Sequence, residues 1–446
     1  PMKLKSGANE VSGRIAYNLD SRKPEAELTA ALNDLQSLGR MAGAACSGSA
    51  DGKVTLDDGA ITADMKARSV TYGSMKAADI HLSTRMKHDG KGYSGTTGMD
   101  ASGIQAGMAG LSSLKINVDG GLNEAAMTIA AEGALTGGAT ESQPFTLRVK
   151  SRVFPGERSV IVEETKGVLG DFEYGLEEPA KVIVPASGIT LNPTVLRFGT
   201  GRLHIQGRQE GDNLSAETRV EALPLAAGAM FGIPLLTGTL DADMSLNGSL
   251  SDPLVKIAFS LNEVRLQNES AAGLAPLEAH GEFSLTSAGF ETTVKADMKD
   301  TLRLECQAAL AARVQLIPWV LDASADTGLS GKAMFEIQFE KLLAALGLDE
   351  HYLEGTASGE FSLAGGLYRP DIRGEAALRQ AVYENTKTGT RLQNLNATLT
   401  AEDGILRLTE CTADMGGQKN MSASGEMRLL YAEQFPFKGT VHLSDA

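Results

Sequence analysis

The sequence predicts a mainly β protein, one long curved antiparallel meander with a few short helices. Three observations predict it. Apolar and polar residues alternate with period two along most of the 446 residues, and fifty glycines, with Asn and Asp, punctuate the alternation at turn positions. The long helical stretches that parallel βαβ units require between strands are missing.

The strands come first. Leu240, Ala242, Met244 and Leu246 fall on one side of a strand, and Asp241, Asp243, Ser245 and Asn247 on the other. Phe145, Leu147 and Val149 oppose Thr146, Arg148 and Lys150, and Leu302, Leu304 and Cys306 oppose Arg303, Glu305 and Gln307. The same pattern places strands at Phe283 and Leu285, Val294 to Met298, Phe335 to Phe339, Phe361 and Leu363, and Met427 and Leu429.

Three segments are expected to be helical. Pro24 to Leu38 sets Leu28, Ala31, Leu32, Leu35 and Leu38 on one face, with Gly39 as a stop. Ala222 to Phe231 and Phe339 to Leu348 are shorter, so each must dock its apolar side on a sheet. The uncharged stretch Ala222 to Leu240 approaches the ~20 residues of a membrane helix. Pro224, Pro234 and the strand-like alternation from Thr239 argue against one.

An internal repeat orders these elements. Gly238 to Pro253, with Leu246, Gly248 and Leu250, matches Gly355 to Pro370, with Leu363, Gly365 and Leu367, at one constant offset (238 to 355, 253 to 370). A weaker earlier copy begins near Pro24, where Met75 to Leu82 resembles Leu392 to Leu399. The expected modules are residues 1–215, including the helix near 24–38, then 216–337, then 338–446.

Composition excludes several functions. A net charge of −15, without runs of Lys or Arg, disfavours a nucleic-acid partner. Cys46, Cys306 and Cys411 are far apart, and the six histidines form no ligand pattern, so neither metal nor cofactor is expected. Gly90-Lys91-Gly92-Tyr93-Ser94-Gly95 has no preceding strand and following helix of the phosphate-loop kind, and is expected to be a hairpin turn. Glu163-Glu164, Glu177-Glu178 and Asp57-Asp58 sit in polar turns, Asp349-Glu350-His351 at a helix end, and no Gly-x-Ser-x-Gly elbow is present. The chain is not expected to be an enzyme, and catalytic residues are expected to be none. Its opening, Pro1-Met2-Lys3-Leu4, is not a charged segment followed by an apolar one, and the chain is expected to be a piece of a longer protein.

The stretch from Tyr383 through Gly389-Thr390-Arg391-Leu392 to Leu395, preceded by Gly365 to Gly374 and followed by Met415-Gly416-Gly417 and Ser422 to Met427, resembles the TamB family of AsmA-like envelope proteins. The likeness is closest over Leu223 to Leu430. It implies a U-shaped "β-taco" groove with an apolar interior. It also implies a place in the periplasm of a Gram-negative bacterium, an anchor in the inner membrane through an N-terminal region, and a TamA-like outer-membrane barrel as partner of a C-terminal region. The implied function is bridge-like transfer of phospholipid, its acyl chains shielded between the inner and outer membranes.

The residues expected to line such a groove are Leu240, Met244, Leu246, Phe283, Leu285, Val294, Met298, Leu302, Leu304, Phe335, Ile337, Phe339, Phe361, Leu363, Leu395, Leu399, Leu408, Met427 and Leu429, with Met334 as a further adaptable methionine. Period two alone fits a closed β-sandwich core equally well. Two other functions stay open: an envelope scaffold assisting outer-membrane barrel or autotransporter assembly, and a closed-core β-rich adhesin domain.

Overall fold

The structure, a computed structural model, describes residues 2–445 except 19–22, 42–44, 89, 91, 108, 136–141, 232–235, 250, 268–270, 272, 316–319, 325–326, 341, 346–347, 349, 368, 417–418 and 429–434. Pro1, Lys91, Pro234, Leu250, Asp349, Gly417, Leu429 and Leu430, named above, lie outside the described residues.

The chain is mainly β, with twenty-eight strands in one antiparallel meander sheet. It divides into two units near residues 199–207. The first contains β1 (Met2–Ser6), β2 (Asn9–Asn18), β3 (Lys23–Leu32), α1 (Leu35–Met41), β4 (Cys46–Asp57), β5 (Ala60–Tyr72), β6 (Met75–His88), β7 (Tyr93–Ala106), β8 (Ala109–Gly121), β9 (Ala125–Leu135), β10 (Gln143–Phe154), β11 (Ser159–Leu169), β12 (Phe172–Leu176), β13 (Ala180–Ile183) and β14 (Gly188–Phe198). Each strand from β1 to β11 pairs with the next. The short β12 and β13 share one place in the sheet, both pairing with β11 on one side and β14 on the other.

After β15 (Gly201–Glu210), which both units share, the second unit contains β16 (Asn213–Pro224), a 3-10 helix (Leu225–Phe231), β17 (Leu236–Ser249), β18 (Pro253–Leu266), β19 (Leu277–Thr286), β20 (Gly289–Met298), β21 (Leu302–Leu310), β22 (Arg313–Gln315), β23 (Val320–Asp322), β24 (Leu329–Gln338), α2 (Leu342–Ala345), β25 (His351–Gly366), β26 (Arg369–Asn385), β27 (Thr390–Glu402), β28 (Ile405–Gly416), β29 (Lys419–Arg428) and β30 (Phe437–Asp445). The ladder runs from β16 to β21, then through β24 to β30. Strands β22 and β23 form a separate hairpin.

The helix expected over 24–38 is corrected. Residues 23–32 are strand β3, and helix starts only at Leu35. Ala26, Leu28, Ala30 and Leu32 alternate as well as they wind, and pairing on both flanks, with β2 and β4, favours the strand. The helix begins where Asp34 caps it, its Oδ1 accepting from the Gln36 and Ser37 amides at 3.0 and 3.2 Å. Asn9, buried on β2, donates to the Asp34 carbonyl at 2.8 Å and to Ser37 Oγ at 3.0 Å, tying the helix to the sheet. Of the other expected helices, Ala222 to Pro224 finish β16 before the 3-10 helix, and Leu342–Ala345 is the helical part of 339–348.

One device recurs three times. The helices at Leu35, Leu225 and Leu342 are each followed at the same spacing (35 to 48, 225 to 238, 342 to 355) by Gly48, Gly238 and Gly355, with φ of 121°, 108° and 134°. Across the ladder, each glycine faces a register shift where Ser69, Glu263 and Gln380 take φ of 52°, 53° and 48°. At Gly238 an added Cβ would approach the Asn262 carbonyl to 2.6 Å, so the bulge requires glycine there.

Candidate functional site

The ladder places the apolar residues of successive strands in rows across the sheet. In the second unit one row reads Val220, Ala242, Phe259, Gly281, Val294, Cys306, Ala333, Phe361, Gly374, Ala401, Leu406, Met427 and Phe437, without a polar side chain. A parallel row carries Leu240, Leu261, Leu304, Phe335, Leu399 and Leu408 at its larger positions. At ~4.8 Å per strand, such a row runs on the order of 60 Å.

The first unit repeats the pattern. Met65, Leu82, Met99, Ile116, Ile129 and Val149 form one row, and Ile80, Ala101, Leu114, Ala131 and Leu147 another. Several polar side chains on this face are bonded: Thr84 and Thr97 hydroxyls meet at 3.3 Å, and Ser151 donates to the Met127 carbonyl at 3.4 Å.

Exposure differs sharply between faces. Along β10 and β24 half-buried apolar residues alternate with exposed polar ones. A flat single layer would expose both faces equally, whereas a second packed layer would bury the apolar face outright. The face lies between these limits: Met244 on it is 38% exposed, and among the described residues the buried aliphatic side chains larger than alanine are Val220, Val264, Leu274, Leu285 and Leu310.

Total surface gives the same result. The chain exposes 26716 Å². A compact protein of this mass exposes roughly 16,000 Å², and two compact halves roughly 19,500 Å². The chain therefore exposes more surface than compact packing would leave.

Glycines identify the concave side. On the apolar face, a Cβ added at Gly95, Gly133, Gly167 or Gly281 would overlap the carbonyl of Arg85, Gly110, Thr146 or Thr293 on the adjacent strand. On the polar face, a Cβ at Gly98 or Gly110 meets nothing closer than 3.2 Å, although one at Gly175 meets the Thr165 carbonyl at 2.6 Å, so crowding is heavier on the apolar face without being confined to it. Side chains crowd on the inside of a bend, so each unit curves with its apolar face inward.

The polar face carries cross-strand ion pairs: Arg219–Asp243 at 2.7 Å, Lys332–Glu360 at 2.6 Å and Lys295–Glu305 at 3.3 Å. A hollow of about 700 Å³ there is lined by Arg219, Asp241, Asp243, His280, Glu282 and Lys295. Glu163 and Glu164, expected in a polar turn, lie instead within strand β11, where Glu164 sits between Lys150 and Lys166 at 2.6 and 2.5 Å, and these hydrogen-bonded ammonium groups pull its carboxyl down to about 2. His81 Nε2 lies 3.1 Å from Asp64, and His351 Nδ1 2.8 Å from the Tyr383 hydroxyl. Among the described residues, no three His, Cys, Asp or Glu side chains are grouped to hold a metal ion, and no helix is long and apolar enough to cross a membrane.

Most of the expected lining residues fall in the apolar rows. Met334 does not: it stands one residue out of phase with Ala333 and Phe335, on the polar face between Glu305 and Glu360 in register, and is 37% exposed. Alternation, not residue type, decides the face. Met298 is on the apolar face but packs against Ala271 and Leu274 of the β18–β19 connection, so protein covers it. The expected lining omits Ile257, Phe259, Phe290, Leu310 and Leu406, and every residue of the first unit, although the alternation places Phe145, Leu147 and Val149 on one strand face. The same alternation marks them, but only the register joins them into rows.

Cys306 sits in the long row and Cys411 beside Ala397 on the same face; both thiols are free, and burial pushes the Cys411 thiol above its ordinary range. No family model matches the chain, and neither the curated proteins nor the solved structures compared with it give a match.

Proposed function

We propose that the inward apolar face carries the acyl chains of phospholipid, as the resemblance to TamB implies, in a bridge-like transfer protein of the bacterial envelope. The observation that carries this is the half-buried state of the apolar rows, concave and without a second layer. Each methylene exposed to water costs about 0.8 kcal/mol, so a diacyl lipid of ~30 methylenes meets a barrier on the order of 20 kcal/mol that an apolar trough removes. Rows of similar aliphatic side chains offer tails a uniform surface along which they slide, while headgroups stay in water.

In this proposal the full-length protein is anchored in the inner membrane, spans the periplasm and meets a TamA-like outer-membrane barrel. No catalytic residue and no cofactor takes part. Mass spectrometry of lipid extracted from protein purified without detergent tests the proposal, with bound phospholipid expected. A benzophenone amino acid at Ile257 or Phe361 should crosslink to acyl chains, and one at Met334 should not. Protein free of lipid, or equal crosslinking from Met334, removes the proposal.

A further inference from the structure

Three phenylalanines of the second unit lie down on the sheet. Phe259, Phe335 and Phe361 are in register with Gly281, Gly359 and Gly374 on the following strands. An added Cβ would come within 2.9 Å of Phe259 Cζ at Gly281, 2.9 Å of Phe335 Cζ at Gly359, and 2.8 Å of Phe361 Cδ1 at Gly374. Each ring therefore covers the space of a missing side chain instead of standing out from the sheet. Phe335 and Phe361 are nearly parallel, with centroids 6.4 Å apart and planes 14° apart. The result is a set of level rings, two of them on adjacent strands, on a face that also carries the stacked pair Phe283 and Phe290.

Level rings discriminate by shape. A straight methylene chain lies in continuous contact with ring faces, whereas methyl branches hold a chain away from them. A radial gap of about 0.5–1 Å already forfeits a quarter to a half of the dispersion attraction. We infer that the three Phe–Gly pairs make this stretch of the face selective for straight hydrocarbon chains over methyl-branched ones, an inference that rests on the lipid-carrying proposal above.

The protein is incubated with phosphatidylglycerol vesicles bearing either palmitoyl and oleoyl chains or phytanoyl chains, then separated and assayed for bound lipid. Uptake of the straight-chain lipid is expected to exceed that of the branched lipid about threefold or more. Phe335→Leu/Phe361→Leu should lose the preference, so that uptake of the two lipids becomes equal whatever its level. Gly359→Ala/Ala376→Gly moves one methyl to the facing strand, where it presses on the Phe335 ring; straight-chain uptake should fall, and adding Phe335→Leu should restore it. Equal uptake by the unaltered protein, a preference that survives the double Phe variant, or a loss that Phe335→Leu fails to restore overturns the inference but leaves the lipid-carrying proposal intact. No uptake of either lipid by the unaltered protein sinks both.

Discussion

The apolar faces of β4–β9 and β18–β25 share a geometry and differ in chemistry. The first is built from Met65, Leu82, Met99, Ile116 and Ile129, with no phenylalanine before Phe145. The second alternates flat rings with glycines, as at Phe259 and Gly281. In both, apolar residues stay in register across every strand, so apolarity at each position is the common requirement and residue identity is free to vary. Aliphatic and methionine side chains adapt to a guest, while rings seated on glycine hold one shape.

The sharpest test of this equivalence is a charge placed on each face. Leu246→Arg and Leu363→Arg in the second unit, and Ile116→Arg in the first, should bind little lipid yet unfold at nearly the parent urea midpoint, because a half-buried arginine reaches water at the open side. Met298→Arg should instead lose about 1–2 kcal/mol more than these, since its half-buried side chain packs against the buried Ala271 and Leu274. Equal loss at all four positions would mean that the faces are sealed cores.

Curvature supplies the next contrast. Gly133→Ala on the inward face should cost about 2 kcal/mol, because its Cβ overlaps the Gly110 carbonyl, while Gly110→Ala on the outward face should fall within about 0.5 kcal/mol of the parent. Similar values for the two would remove the argument that the apolar side is concave. The same pair of substitutions at Gly281 and a polar-face glycine would extend the comparison to the second unit.

Charge on the outward face should matter less. Glu164 should titrate by NMR near 2, and Lys166→Met should move that midpoint up toward the ordinary carboxylate value. Because its folded value is depressed, the stability it contributes is present above the unfolded carboxylate range and is lost as pH falls through about 2. Smallest of all, Arg219→Met breaks an exposed pair with Asp243 and should leave the urea midpoint nearly unchanged.

Much of the fold was legible in the alternation of the strands, since Leu302 to Gln307 and Phe145 to Lys150 occupy the faces that their phase assigns. Pro24 to Leu32 was misread because Ala, Leu and Glu suit a helix, and only the two neighbouring ladders decide for strand. Met334 was misplaced by its chemistry, although its phase with Lys332 and Glu336 was visible. The bend was not legible: Gly133 and Gly110 look alike in sequence, and only the distance to the next strand separates them.

The thrice-used combination of short helix, glycine and facing bulge carries a consequence for ancestry. A chain assembled from such cassettes can be extended or shortened by gene-level duplication of whole units without shifting any strand against its neighbour. A one-residue deletion inside a strand would instead turn the oily side of that strand's remainder to the opposite face.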